Sequence, residues 1–188
     1  MRCFIAVDIN DKVREAVDDL QRQLQSKVDI RKSDVKWVRP ELMHLTLKFL
    51  GEIKDEETVK VCEAVKEAAA ESGSFELDIE TVGHFGGRNP RVLWVGTGEG
   101  SDDLSVLAEA IEQRLALDGW GKEERKFSGH LTLCRIRNPK AGFKLAQVSE
   151  DFKDVKLGSV SIDSVSVYQS QLTPTGPIYA VLGRYKLT

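Results

Sequence analysis

The tetrapeptide His-Leu-Thr-Leu occurs twice in this chain, at residues 44–47 and 130–133, and it constrains the fold more than any other feature. Polar and apolar residues alternate with period two in both copies, which predicts two half-buried β-strands. In an extended strand His44 and Thr46 lie on one face, roughly 6–7 Å apart, and the two leucines lie on the other. The second copy repeats this arrangement. If the two strands lie side by side, two imidazoles and two hydroxyls share one rigid surface, which is the beginning of an active site.

The composition is that of a globular protein rather than a membrane protein or one that coats nucleic acid. Of the 188 residues, 41% are hydrophobic and 30% are charged, and the net charge is −3 at pH 7. No apolar run is long enough to span a membrane, and residues 1–8 are too short and too alternating for a signal peptide, so we expect a cytoplasmic protein. The negative net charge argues against a broad basic surface, but it allows a local basic cleft that recognises one RNA end.

Neither the cysteines nor the histidines have the spacing of a metal site. The three cysteines include no Cys-x-x-Cys pair, and each lies in a periodic segment, so we expect small buried hydrophobic residues. Three histidines without a His-x-x-x-His spacing do not predict a zinc site. The third histidine, His84, falls in the glycine-rich segment 83–90, which predicts a loop with His84 exposed.

Hydrophobic periodicity predicts a mixed order of strands and helices. Strands are predicted at 2–9, 35–38, 44–50, 75–82, 92–95, 130–136, 158–170 and 178–187, the last two forming a hairpin around 172–177. Amphipathic helices are predicted after three capping positions, which are Asn10 or Asp11, Asp55 and Ser101, and a short helix is predicted at 144–152. Adjacent strands without a low-complexity linker favour an α+β fold with antiparallel sheets, in which two related lobes meet along the histidine strands.

Two facing histidines can divide acid and base catalysis between them. One imidazole takes a proton and the other gives one, and each role contributes about 10²–10⁴ in rate when it is well aligned. The hydroxyls of Thr46 and Thr132 are better suited to donate hydrogen bonds to a non-bridging oxygen than to act as nucleophiles, because the symmetric layout would tie each histidine to a separate hydroxyl. An acid, a base and two hydroxyl donors around a tetrahedral anion describe metal-free cleavage of a phosphodiester.

The motifs at 44–52 and 130–135 resemble the paired His-x-Thr-x motifs of the two-histidine (2H) phosphoesterase superfamily. Within it they are most similar to the RNA 2′,3′-cyclic phosphodiesterases, also called 2′-5′ RNA ligases of the bacterial and archaeal type. Three further segments agree with that family, at 4–7, 90–96 and 167–172. The resemblance implies a bilobal 2H phosphoesterase fold: a single domain over 1–188, in which two pseudo-symmetric lobes with antiparallel sheets line a central cleft and helices lie outside.

The same resemblance implies hydrolysis of a terminal RNA 2′,3′-cyclic phosphate to a 2′-phosphomonoester. His44 would donate the proton to the departing O3′, and His130 would accept the proton of the attacking water. Thr46 and Thr132 would hold phosphate oxygens. Run in reverse, the same groups would join a cyclic end to a 5′-hydroxyl through a 2′-5′ linkage. The resemblance implies no metal and no nucleotide cofactor, an RNA partner with a cyclic end, for which tRNA fragments are one candidate, and a monomer.

The residues five positions after each histidine, Phe49 and Arg135, correspond to positions that in relatives stack on the terminal base and bind phosphate, respectively. Strict alternation would turn both toward the leucine side, so a bulge or strand end just past each motif is required. Lys48 and Tyr168 lie in matching segments and are further candidates for substrate contact. Gly129 replaces the proline that usually precedes the second motif histidine, which changes the stiffness of the loop but removes no catalytic group.

Two other functions stay open at this point. One is a cyclic phosphodiesterase that acts on a small nucleotide such as ADP-ribose cyclic phosphate, and it would prefer the free nucleotide over an oligonucleotide with a cyclic end. The other is an RNA-end-binding module without catalysis. In that case His44→Ala and His130→Ala would weaken binding, and there would be no turnover to abolish.

Overall fold

The computed structural model describes all residues, 1–188, and contains nine β-strands and four α-helices. The strands are β1 (Arg2–Asp8), β2 (Val35–Trp37), β3 (His44–Glu52), β4 (Phe75–Phe85), β5 (Val92–Thr97), β6 (Leu131–Ile136), β7 (Lys156–Ile162), β8 (Ser164–Thr173) and β9 (Gly176–Lys186). The helices are α1 (Asp11–Ser26), α2 (Glu57–Ala70), α3 (Ser101–Leu117) and α4 (Pro139–Ser149).

The strands form two antiparallel sheets, and each sheet contains one histidine motif. The first sheet has the order β3-β1-β8-β9 and the second has the order β2-β6-β5-β4-β7. One continuous core of 39 buried residues joins both sheets to all four helices. The predicted α+β class with antiparallel sheets is therefore confirmed.

Each helix buries an apolar stripe, but only one of the three predicted caps is formed as expected. Asn10 accepts a hydrogen bond from the Val13 backbone N–H at 2.9 Å and so caps α1. Asp55 does not cap α2, because that helix begins two residues later and has no side-chain cap. Ser101 is the first residue inside α3, after Gly100 with φ +85°, and its hydroxyl instead donates to the Gly98 carbonyl at 2.5 Å.

Three predicted boundaries were wrong. The segment predicted as one strand at 158–170 is divided at Asp163, where the chain leaves β7 in the second sheet and enters β8 in the first. The predicted loop at 83–90 begins later, because β4 continues to Phe85 and pairs His84 with Leu93 of β5. The last helix begins five residues before the predicted 144–152, at Pro139, whose missing N–H suits the first turn of a helix. None of the four helices is long and apolar enough to cross a membrane.

Candidate active site

The two motif strands show the predicted alternation. Leu45 and Leu47 are buried on β3, and the matching leucines are buried on β6. Thr46 and Thr132 are only half-buried, as is His44. Both threonines therefore lie on the face opposite the core, as the period of two requires.

Each motif strand contains a β-bulge at the same position, three residues after its histidine. In the β1–β3 pair, the register past Thr46 skips one residue, so Leu47 has no partner on β1. In the β5–β6 pair, the register past Thr132 skips one residue in the same way, so Leu133 has no partner on β5. A bulge places two consecutive residues on the buried side and so reverses the alternation beyond it.

As a result, the residues five positions after each histidine share the histidine face. Phe49 is 62% exposed, and its ring centroid lies 6.0 Å from that of Phe4, which is its partner across the β1–β3 pair. Arg135 is exposed on β6 directly opposite Lys36 on β2. The bulge that the sequence required for these two side chains is present in both strands.

Aromatic rings enclose His44 on two sides. The ring of Phe4 stacks on the imidazole at 4.5 Å between centroids and 18° between planes, and Tyr168 stacks on Phe4 at 5.2 Å. Tyr179 approaches the imidazole edge-on at 5.2 Å and 77°. Burial lowers the pKa of His44 from 6.5 to about 4, because the charged imidazolium loses hydration. Unliganded His44 is therefore a neutral imidazole near pH 7.

A carboxylate partly opposes that effect. Asp8 raises the pKa of His44 through its negative charge, as does a hydrogen bond with the Leu42 backbone, whereas the guanidinium of Arg14 lowers it. Arg14 is fixed beside the motif, because it donates to the carbonyls of Pro40 at 2.5 Å and Ile9 at 3.2 Å. The protonation of His44 thus depends on desolvation first and on the Asp8 charge second.

His130 has a different environment. Its Nδ1 lies 2.8 Å from the carbonyl oxygen of Ser128, which accepts a hydrogen bond when Nδ1 carries the proton. In that tautomer Nε2 holds a free lone pair. Phe85 presents its edge to the imidazole at 5.0 Å and 86°, and Trp94 lies at 6.4 Å. The second histidine is therefore oriented by a backbone carbonyl.

Tyr179 is subject to charges from both sheets. Burial raises the pKa of this phenol, while the guanidinium groups of Arg135 and Arg2 lower it. Arg135 belongs to the second sheet, and Tyr179 belongs to the first and touches His44. A cavity of about 380 Å³ opens beside His44 and is lined among others by Asp8 and by Pro177, Ile178 and Tyr179 of β9.

Two of the candidate substrate contacts have other partners. Lys48 is 8% exposed, and its ammonium forms an ion pair with Glu112 and donates to the Gly121 carbonyl at 3.0 Å. The bulge turns Lys48 into the protein, and its role as a substrate contact stays a prediction. Tyr168 borders the cavity, but its hydroxyl donates to Asp8 Oδ1 at 2.5 Å, so it is already engaged.

The glycine before the second histidine packs closely against a leucine of α3. A Cβ at Gly129 would lie 2.6 Å from Leu104 Cδ2 on α3, which is far inside van der Waals contact. A side chain at this position, proline included, would therefore require the buried Leu104 side chain to move.

Sequence reasoning missed the residues that surround the imidazoles from other strands. Asp8, Tyr179 and Phe85 gave no local signal, because their nearness to the histidines depends on strand pairing over long separations. Only the alternation of β1, which ends at Asp8 opposite His44, contained part of the information. No group of three His, Cys, Asp or Glu side chains is arranged to hold a metal ion.

Comparisons with known proteins agree with this geometry. The model of the family described as LigT-like phosphoesterase matches the chain twice, over residues 7–94 and 95–179. Among solved structures, a Thermus thermophilus protein superposes with a TM-score of 0.79 at 27% identity, covering 100% of this chain and 98% of that chain. Escherichia coli LigT has the same fold, with a TM-score of 0.76 at 23% identity and 100% and 97% coverage.

Curated relatives match over almost their whole length. A Methanothermobacter thermautotrophicus protein is 32% identical over 100% of this chain and 99% of its own, and a Thermotoga maritima protein is 35% identical over 97% and 93%. An Archaeoglobus fulgidus protein is 34% identical over 95% and 96%. All three are named RNA 2′,3′-cyclic phosphodiesterase. The chain therefore belongs to the LigT-like phosphoesterase family of the two-histidine superfamily.

Proposed function

We propose that this protein hydrolyses the 2′,3′-cyclic phosphate at an RNA end to a 2′-phosphomonoester, with His44 as proton donor and His130 as proton acceptor. The observation that carries the proposal is the matched pair of bulged strands, each with a histidine, a threonine and an exposed residue five positions on, all on one face. The full-length relatives named RNA 2′,3′-cyclic phosphodiesterase support the choice of substrate.

In the proposed reaction His130 activates water. Nδ1 is engaged with the Ser128 carbonyl, so Nε2 can take a proton from a water molecule as its oxygen forms a bond to phosphorus. The P–O3′ bond breaks, and the O3′ oxygen takes a proton from His44. The products are a 2′-phosphate and a free 3′-hydroxyl, and proton exchange with solvent restores both imidazoles. The hydroxyls of Thr46 and Thr132 donate to the non-bridging oxygens.

The donor role requires a charged His44, whereas burial keeps the free imidazole neutral near pH 7. The cyclic phosphate brings a negative charge to the site. An opposite charge within about 4–6 Å raises the pKa of a histidine by about 1–3. Substrate binding therefore raises the protonated fraction of the imidazole that is available to donate.

Phe49 and Arg135 are the proposed contacts for the terminal base and a phosphate, respectively. Phe49 offers an exposed aromatic face next to the ring that stacks on His44. Arg135 forms no ion pair with a carboxylate, and it lies directly across from the ammonium side chain of Lys36. Like charges directly opposite in a sheet destabilise it, and a bound phosphate would relieve that repulsion.

Two further features belong to the same proposal. One is the organisation of residues 1–188 as a single domain of two lobes, supported by the double match of one family model and by the continuous core. The other is the reverse reaction, in which the same groups join a cyclic end to a 5′-hydroxyl through a 2′-5′ linkage. The physiological RNA, for which tRNA fragments are a candidate, is proposed on the resemblance alone.

The test is end-group analysis of an RNA oligonucleotide that carries a 2′,3′-cyclic phosphate. The expected product has a 2′-phosphate, and a chelator leaves the rate unchanged. His44→Ala and His130→Ala should each remove most of the activity, while His84→Gln, which alters the one histidine outside both motifs, should retain it. A 3′-phosphate product, or full activity in the double alanine variant, would overturn the mechanism. Faster turnover of ADP-ribose cyclic phosphate than of the oligonucleotide would favour the small-nucleotide alternative.

A further inference from the structure

The carboxylate of Asp8 is held in a fixed position that the proposed proton transfers do not use. Asp8 ends β1 directly opposite His44 at the start of β3. Its Oδ1 accepts a hydrogen bond from the Tyr168 hydroxyl at 2.5 Å, and its Oδ2 accepts one from Arg184 Nη2 at 2.9 Å. Arg184 is itself oriented by a hydrogen bond from Nε to Ser166 Oγ at 3.2 Å. Residues from β8 and β9, far along the chain, thus clamp one carboxylate beside the first motif histidine.

The clamp and the imidazole share one packed unit. The Tyr168 ring stacks on Phe4 at 5.2 Å, Phe4 stacks on His44 at 4.5 Å, and the Tyr168 and His44 rings are 5.9 Å apart. Tyr168 therefore orients the Asp8 carboxylate through its hydroxyl, and its ring packs against the Phe4 ring that stacks on the imidazole.

Among the charged groups around His44, Asp8 is the carboxylate that favours the protonated imidazole. Glu41 also borders the cavity, but it pairs with Arg39 at 3.6 Å. Arg14 opposes protonation of the imidazole, and its guanidinium is tied to backbone carbonyls. The charged and titratable groups that border His44, its cavity or the rings around it are Arg2, Asp8, Arg14, Arg39, Glu41, Arg135, Tyr168, Tyr179 and Arg184.

We infer that Asp8 is a positioning residue: its carboxylate, clamped by Tyr168 and Arg184, keeps the buried imidazole of His44 able to carry the proton that it donates. This inference rests on the proposed function, because it assigns Asp8 to the acid half of that reaction. Neutralising Asp8 leaves the aromatic stack and the desolvation in place but removes the charge that favours imidazolium. The expected effect is on proton occupancy at His44, rather than on the fold or on RNA binding.

The test compares Asp8→Asn, which is isosteric, with Asp8→Glu, which keeps the charge, and with Asp118→Asn, which removes one exposed charge at the end of α3. In the pH profile of kcat, the alkaline limb reports deprotonation of the donor in the complex. Asp8→Asn should move that limb to lower pH by roughly one pH unit, which is about tenfold in the protonated fraction. Asp8→Glu should restore it largely, and Asp118→Asn should leave it in place. A loss of kcat that is equal at all pH values, or an unchanged limb, would overturn the inference.

A second readout separates this inference from the proposed function. The chain has only three histidines, so their imidazole Cε1 protons can be assigned in an NMR titration with single His→Gln variants. Asp8→Asn should lower the pKa of His44 in the free protein, and an unchanged value would contradict the coupling whether or not the protein hydrolyses RNA. If the titration moves as expected but no cyclic phosphate is hydrolysed, the coupling stands and the proposed function fails.

Discussion

The burial of His44 predicts a specific loss of stability in mild acid. In the unfolded chain this histidine titrates near 6.5, whereas in the folded protein its pKa is lowered to about 4 because the imidazolium is desolvated. Between these values the unfolded state binds the extra proton and the folded state does not. The free energy of unfolding therefore falls as pH falls through 6.5, and the loss levels off below about 4.

The magnitude follows from the two pKa values. A difference of about 2.5 corresponds to roughly 3.4 kcal/mol in full, of which about 2 kcal/mol is lost by pH 5 and about 3 kcal/mol by pH 4. His44→Gln removes the titrating group but leaves every other one. The variant should therefore lose about 2 kcal/mol less stability than the wild type between pH 7.5 and pH 5.

The assay is urea unfolding of both proteins at pH 7.5 and pH 5, with the slope of free energy against denaturant checked for equality. The quantity to compare is the stability that each protein loses between pH 7.5 and pH 5. The stabilities at pH 7.5 need not agree, because replacing the imidazole by glutamine also changes packing. If the wild type and His44→Gln lose the same stability within about 0.5 kcal/mol, His44 is not held neutral by its surroundings. The account of the donor given above would then be wrong.

Two substitutions test the walls of the site against matched controls. A Cβ at Gly83 would lie 2.5 Å from Cζ2 of Trp94, so Gly83→Ala should lower the free energy of unfolding in urea by about 1–3 kcal/mol. A Cβ at Gly121 would meet no atom within 4 Å, so Gly121→Ala should lower it by less than about 0.5 kcal/mol. Equal losses in the two variants would contradict the close packing of Gly83 against Trp94. Phe49→Ala should raise KM for a cyclic-phosphate oligonucleotide roughly 5- to 160-fold, because stacking on one base is worth about 1–3 kcal/mol. Phe143→Ala on α4, where the ring is equally exposed, should not change KM, and equal KM values for the two variants would remove Phe49 from the base site.

The features that sequence could predict are those encoded by neighbouring residues. The alternation of the two motifs is a property of four consecutive residues, and the buried leucines confirm it. The apolar stripe and the Asn10 cap of α1 are similarly local, since both depend on spacings of three or four residues.

The features that sequence could not predict are set by pairing partners. A bulge or strand end was expected past each motif, but its position at Leu47 and Leu133 was not. Consecutive residues on the neighbouring strand skip one residue of the motif strand there, and no residue type within the motif marks the skip. The division at Asp163 is similar, because the chain keeps its β pattern while changing sheets. The direction of Lys48 could not be predicted for the same reason, since it depends on the bulge before it.

The two motifs share a strand geometry but differ in their electrostatic surroundings, and this difference is what can divide acid from base. His130 is oriented by the Ser128 carbonyl with Nε2 left free, which suits a base in its neutral form. His44 is desolvated and faces the clamped Asp8, which suits a group that becomes charged only when a further negative charge arrives. Under the proposed assignment the bound phosphate supplies that charge. Substrate binding therefore raises the protonated fraction of the donor, and a neutral ligand of the same shape would not raise it.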